Sequence, residues 1–444
     1  MKLVHHGANQ GVTGSCHQLF WQNDHSLLVD CGIFQGDEAK KHPNPEINFP
    51  INNIEAMLLT HVHIDHVGRL PYLLSAGYEK PIYCSGPTAR LLPLVMEDAL
   101  KIGFTRSRNL IKKFLKHIGK LLRPLPYHTW HPIADNVRIR LRPAGHVLGS
   151  TIFEVELPSG EVVVFSGDIG TGNDPLLRKP TSPPKADLLV LESTYGDKFH
   201  PDTNNRQATL EAILRKTLEN KGVTIIPAFS LGRTQALLYE MNGIFERLQK
   251  SEGRSLLKQV DVIVDSPLAS RFTELYDSMQ DYWGQEAQHL MRTDDQPLVF
   301  ENLTTVGNHR EHRDTLAYLA ERKLPAIVVA GSGMCTGGRV VNYLKQFINE
   351  PTSDIVFVGY QAGGTPGNYL CRGSDWVRFD GRKYNVSAGV HRINGYSAHG
   401  DQKDLIAFVQ NMEEPPKEIR LVHGDYQPKQ TLAEKLTELG YTVV

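Results

Sequence analysis

The sequence is poor in cysteine, and the five it has make no framework: Cys16, Cys31, Cys84, Cys335 and Cys371 are odd in number, with no C-x-x-C spacing among them. That excludes a disulfide-stapled fold and a cysteine-only zinc knuckle, and it points to a reducing compartment. No run approaches the roughly 20 apolar residues of a membrane span, and Met1-Lys2-Leu3-Val4-His5-His6-Gly7 lacks the long apolar stretch of a secretory leader. A cytoplasmic location is expected, with no membrane as partner. An excess of one charge is missing too. The chain carries 48 Lys and Arg against 49 Asp and Glu, so any surface that attracts a polyanion must be local. No internal repeat or low-complexity tract is evident. With 444 residues, 40% of them hydrophobic, the chain can build two domains with substantial cores.

Histidine is what the chain has in quantity, at one place above all. Leu58-Leu59-Thr60-His61-Val62-His63-Ile64-Asp65-His66-Val67-Gly68 follows an apolar, strand-like run. In an extended segment alternate side chains share a face, so His61 and His63 point to one metal ion while Val62 turns inward. The apolar spacing of Leu70, Leu73 and Leu74 predicts a helix next. Asp65 and His66 then sit at the helix start, displaced from the first pair and able to hold a second ion. Imidazole with carboxylate is a ligand set for zinc ahead of manganese or iron. Capping and solvation of a strand-to-helix turn need one Asp or Ser, not three histidines.

Short apolar runs that read as strands recur at 26–29, 56–59, 137–141, 152–157, 162–165 and 188–191. From about residue 205 the texture changes to alternating helix and strand: helices at 206–221, 232–248, 267–282 and 337–348, strands at 223–227, 260–265, 326–330 and 355–360. That alternation predicts a parallel sheet with crossover helices. After about 385, His399 and His423 again follow strand-like runs. The expected organisation is a metal-binding domain in two parts, 1–204 and 385–444, interrupted by an α/β domain over 205–384.

Two further segments repeat this logic, and His423 adds a last donor. Arg142-Pro143-Ala144-Gly145-His146 places a histidine beside a glycine that lets the backbone turn sharply, and Val164-Phe165-Ser166-Gly167-Asp168 ends a strand on a carboxylate. His146 joins His61 and His63. Asp168, with two oxygens, is the expected bridge to a second ion held by Asp65, His66 and His423. Two divalent cations about 3.5 to 4 Å apart lower the pKa of a bridging water and yield a hydroxide nucleophile.

These residues resemble the metallo-β-lactamase fold and, within it, the β-CASP nucleases, over most of the chain. Asp30 in Val29-Asp30-Cys31-Gly32 matches the first motif, His61 to His66 the second, His146 the third and Asp168 the fourth. Glu192 in Leu191-Glu192-Ser193-Thr194-Tyr195-Gly196 matches motif A, His399 in Tyr396-Ser397-Ala398-His399-Gly400-Asp401 motif B, and His423 motif C. Histidine at motif C is associated with RNA-processing members of the family, among them compact prokaryotic ribonucleases and the endonuclease subunit of the cleavage and polyadenylation machinery. The resemblance implies a four-layer αββα sandwich with an inserted, mainly parallel α/β domain. It also implies two Zn2+ ions and hydrolysis of RNA to 5′-phosphate and 3′-hydroxyl ends, and the expected substrate is single-stranded. Endonucleolytic and 5′–3′ exonucleolytic modes both stay open, as does a homodimer. His399 is the expected general acid, oriented by Glu192, and Asp30 the carboxylate that orients a ligand histidine.

Two strand-to-helix loops in the inserted segment are candidates for phosphate contact: Ser230 and Arg233 in the first, Ser332 and Arg339 in the second. A third candidate is the run of Lys101, Arg106, Arg108, Lys112, Lys113, Lys116, Lys120 and Arg123, interleaved with apolar residues at helical spacing and free of acidic residues. Two other readings use the same metal ligands, a small-ester or thioester hydrolase and a catalytically silent RNA-binding scaffold. The first leaves Glu192, His399 and the inserted domain without a role.

Overall fold

The computed structural model describes residues 1–134, 136–200, 205–252, 260–292, 296–322 and 324–444. They form two compact units, one of residues 1–173, 177–199 and 399–444, the other of 174–176 and 200–398.

The first unit contains two six-stranded sheets. One runs β1 (Lys2–Gly7), β2 (Cys16–Phe20), β3 (Ser26–Val29), β4 (Ile54–Leu58), β5 (Ile82–Ser85), β6 (Leu122–Leu125) in that order. The other has the order β20 (Glu418–Val422), β11 (Leu188–Glu192), β10 (Val162–Phe165), β9 (Thr151–Glu156), β8 (Val137–Pro143), β7 (Trp130–Ala134). Side-chain alternation decides what each face meets. Val163 and Phe165 of β10 pack with Leu27, Val29, Ala56 and Leu58 of the facing sheet. Val162 and Val164 turn the other way, onto Leu405, Phe408, Leu432 and Leu436 of the helices Gln402–Gln410 and Tyr426–Glu438. Each such fully buried aliphatic side chain contributes about 1.5–3 kcal/mol. Helix Gly86–Gly103 packs on β5 and β6. The expected αββα layering is therefore present.

Parallel register brings the chemistry to one edge. β3 pairs with β4 through Val29 and Leu58, and β11 pairs with β10 and β20 through Val190 and Phe165 and through Glu192 and Val422. Asp30, His61, Asp168, Glu192 and His423 all lie at or just beyond those strand ends.

In the second unit a parallel sheet has the order β14 (Leu303–Thr305), β13 (Asp261–Asp265), β15 (Ala326–Ala330), β12 (Val223–Pro227), β16 (Asp354–Phe357), β19 (Gly389–Arg392). The antiparallel pair β17 (Trp376–Phe379) and β18 (Arg382–Asn385) accompanies it. β12 and β15 are buried at every position, which is why they read as unbroken apolar runs rather than alternating ones. Helices Arg206–Asn220, Arg233–Glu252, Pro267–Asp277, His309–Arg322 and Val340–Phe347 complete the alternation. The helix expected over 267–282 ends at Asp277, and Gln280–Tyr282 is a separate 3-10 turn.

By compactness the second unit runs to 398, as β19 pairs in parallel with β16, Asp354 opposite Gly389 and Phe357 opposite Arg392. The expected boundary at 204 lies outside the described residues.

Candidate metal centre

The His-rich segment starts as extended chain after β4 and turns into a one-turn helix, Ile64–Val67, with His63 at its N-cap. Gly32 is required beside it: a Cβ there would sit 1.5 Å from the Asp65 carbonyl oxygen. Its close approach lets Ser15 N–H donate to the Asp65 carbonyl (2.8 Å) and Cys31 N–H to that of His66 (2.8 Å). Beside His146, Gly145 has φ +71, a left-handed conformation in which the backbone turns sharply. His146 N–H donates to Ser150 Oγ at 2.9 Å.

Three imidazoles converge on one point. His63 Nδ1 lies 3.2 Å from His61 Nε2 and 3.0 Å from His146 Nε2, and Asp168 Oδ2 is 3.4 Å from the former and 3.5 Å from the latter. Loss of hydration holds the His61 imidazole well below its usual value, against the opposing pull of Asp168, and brings His63 down to about 4. Both are thus neutral near pH 7, the state in which imidazole offers a lone pair.

A second set gathers on the other side of the same carboxylate. Asp168 Oδ1 is 3.3 Å from His66 Nε2 and 3.5 Å from His423 Nε2, and Asp65 Oδ2 is 4.0 Å from each of those nitrogens. Thus Oδ2 of Asp168 faces one histidine group and Oδ1 the other. Burial would raise the Asp168 carboxyl, but His423, His66 and His61 around it hold it well below the usual range.

The donors fit a divalent metal. Among the described residues, His66 Nε2, Asp168 Oδ1 and His423 Nε2 are buried without a hydrogen-bond partner, a costly arrangement unless a cation satisfies the lone pairs. The ligand atoms of His61, His63, His146 and Asp168 lie within 4.8 Å of one another, as do those of Asp65, His66 and His423.

Supporting bonds aim these rings. Asp30 Oδ2 accepts from His66 Nδ1 at 2.7 Å and from the Thr60 hydroxyl at 2.7 Å, while Oδ1 accepts from Thr60 N–H at 2.8 Å. Thr60 Oγ in turn accepts from His61 Nδ1 at 3.1 Å. Thr60 is a residue that sequence reasoning passed over, although a hydroxyl directly before the first histidine of the motif was the available signal.

Glu192 and His399 lie side by side. His399 Nδ1 is 3.2 Å and 3.3 Å from the two Glu192 oxygens, and its Nε2 is 3.9 Å from Asp168 Oδ2. Burial lowers the His399 imidazole, but Glu192 and then Asp168 outweigh it and push it up to about 9. Glu192 is fully buried and also accepts from Ile169 N–H at 2.6 Å. Gly400 N–H donates to the Ile169 carbonyl at 2.7 Å, and Asp401 caps the following helix.

The four candidate phosphate contacts lie in the second unit. Ser230 Oγ is 3.0 Å from Ser266 Oγ, and Ser332 Oγ is 3.3 Å from Thr336 Oγ1. The Arg233 guanidinium lies 5.6 Å from the Tyr396 ring centroid. Arg339 donates from Nη1 to Asp265 Oδ1 at 2.5 Å and to the Val306 carbonyl at 3.0 Å. Asp265 is fully buried and also accepts from His312 and Tyr343 at 2.5 Å each. That network was not anticipated, and it already engages the guanidinium.

Comparison with known proteins gives three matching families. Residues 18–227 match the metallo-beta-lactamase superfamily, residues 234–370 the Beta-Casp domain, and residues 383–444 the Zn-dependent metallo-hydrolase RNA specificity domain. A ribonuclease of Thermus thermophilus, TTHA0252, is 35% identical over 446 residues, covering 100% of this chain and 97% of that protein. The transcription termination factor FttA is 30% identical in Methanosarcina mazei, over 90% of this chain and 63% of that protein. In Methanothermobacter thermautotrophicus it is 29% identical, over 98% and 69%. The chain thus spans about two thirds of FttA. Among solved structures, a protein of unknown function from Enterococcus faecalis shares the fold, with a TM-score of 0.56 and 13% identity over 99% of this chain and 96% of that one.

Proposed function

The chain belongs to the β-CASP family within the metallo-β-lactamase superfamily, and on that premise we propose that it is a ribonuclease that hydrolyses single-stranded RNA to 5′-phosphate and 3′-hydroxyl ends. One observation carries the reading. Asp168 presents one oxygen to each histidine group, while His399, backed by Glu192, stands 3.9 Å from it.

His61, His63 and His146 on one side of Asp168, and Asp65, His66 and His423 on the other, would hold divalent cations, zinc by donor type, whose chemistry would be to acidify a water and offset phosphate charge. Everything else falls to side chains. Asp30 keeps the His66 proton on Nδ1, and Thr60 does the same for His61, so that both Nε2 lone pairs face inward. Asp65, 18% exposed, takes the proton lost by the attacking water. As the P–O3′ bond breaks, His399 Nε2–H donates to the departing oxygen, and Glu192 steadies the imidazolium through Nδ1. Ser230, Arg233 and Ser332 are retained as candidates for holding flanking phosphates, with Arg339 a weaker one because Asp265 engages it.

Among the described residues no helix is long and apolar enough to cross a membrane, and all five cysteines are free. Both support a cytoplasmic enzyme. The test is cleavage of end-labelled single-stranded RNA by the wild type, Asp168→Ala and His399→Ala, with bound metal measured in each. Substantial cleavage by Asp168→Ala would sink the reading, and the fragment pattern separates internal cutting from stepwise removal at the 5′ end.

A further inference from the structure

Helices Gly86–Gly103 and Arg108–Leu121 form a hairpin on the first unit whose charge the cleavage chemistry does not use. Residues 99–134 include no Asp or Glu. Arg106, Arg108, Lys112, Lys113, Lys116 and Lys120 are exposed, and among the described residues none of them makes an ion pair. The apolar side of the second helix is turned in at Ile111 and Ile118, so the cations stand on a face fixed by packing. Along it Arg108, Lys112, Lys116 and Lys120 recur every fourth residue, about 6 Å apart on the helix axis, close to the step between successive phosphates of an extended strand. Like charges at this spacing weaken a helix, and a merely solvated face would be expected to mix signs.

Two more observations point to a nucleic acid rather than an acidic protein. Ile102 is 81% exposed, Leu110 55% and Phe104 39%, which sets apolar and aromatic surface beside the cations, the combination that single-strand binders use. The hairpin is also rooted at the metal-bearing edge: Ser85, which caps its first helix, donates to the Gly149 carbonyl at 2.6 Å, three residues beyond His146. Its second helix delivers the chain to the opposite end of that sheet, where Leu122 pairs with Ile82.

We propose that this hairpin is a second RNA-contacting surface, which grips the backbone of a single strand away from the residues that cut it. The inference rests on the reading of RNA as substrate. Its test is binding of a labelled single-stranded RNA of about 20 nucleotides across a salt series, in the full chain carrying Asp168→Ala, with and without Lys112→Gln, Lys116→Gln and Lys120→Gln together. Three lost phosphate contacts should lower the slope of log affinity against log salt by about 2 and weaken binding at least tenfold near 0.1 M salt. A slope change below about 0.5 overturns the proposal, as does binding to anionic phospholipid vesicles in place of RNA. Thermal melting checks that the variant is folded, and His399→Ala provides a second background. A wild type that cuts RNA while the slope stays put refutes the hairpin alone. A slope that falls in a chain that cuts no RNA refutes the nuclease reading and leaves the hairpin standing.

Discussion

Asp30 and His66 are joined by a 2.7 Å hydrogen bond between a carboxylate oxygen and Nδ1, both buried, and that bond leaves Nε2 of the ring 3.3 Å from Asp168. The orientation of His66 therefore depends on a residue that lies outside the cluster of donor atoms.

Asp30→Asn tests that dependence. The amide keeps the shape but replaces an acceptor with a donor against Thr60 or His66, so the ring loses its fixed tautomer. Loss of such a partner costs about 10- to 100-fold in metal affinity. The expected result is a chain with less bound metal after dialysis, and activity recovered by excess zinc. Wild-type metal content in this variant would show that His66 is oriented by something else.

As the proposed general acid, His399 is expected to set the alkaline limit of the reaction. A general acid works in its protonated form, so activity is held below its pKa and falls as pH rises through it. The ring is pushed up to about 9, against burial, by Glu192 and Asp168. Divalent charge beside Asp168 takes back part of that rise, so the limb is expected between the ordinary value of about 6.5 and about 9. Glu192→Gln removes the other carboxylate and should move the limb towards acid. His399→Ala should lower kcat by about 10²- to 10⁴-fold and abolish the limb. A limb unmoved by Glu192→Gln would assign it to another group.

Much of this centre was legible because its ligands follow strands directly. His61, Asp168 and His423 each come within three residues of a strand end, and a parallel sheet turns such positions into neighbours. Strand β19 was not legible for the converse reason. Gly389–Arg392 has no apolar run; its His391 bonds Asp354 at 2.6 Å, and β19 is held by pairing with β16 rather than by burial. Asp265 escaped notice because its partners, His312, Arg339 and Tyr343, are separated from it by 47, 74 and 78 residues.

Arg339 distinguishes structure from substrate binding. It is partly exposed, but the carboxylate that it serves is fully buried. Removing one partner of a buried pair costs about 3–5 kcal/mol; with His312 and Tyr343 still bonded to Asp265 and with Arg339 partly in water, roughly 2 kcal/mol is expected for Arg339→Ala. Urea denaturation should show that loss, with KM for RNA little changed. Unchanged stability with a raised KM would restore Arg339 as a phosphate contact.

Acid should release the metal before it unfolds the chain. His63 is lowered to about 4 and His61 well below its ordinary value, in each case chiefly by loss of hydration. A histidine with a depressed folded pKa binds fewer protons folded than unfolded between that value and about 6.5. Its contribution to stability is therefore whole above about 6.5 and is lost as pH falls towards 4. Protons compete with cations for the same lone pairs, so the two losses run in one direction. Metal content and activity should fall together from about pH 6.5 downward, and chelation at neutral pH should lower the melting temperature and make the acid loss begin from that lower value. A melting temperature indifferent to chelator would mean that the convergence of His61, His63 and His146 is held by the fold without help from a bound ion.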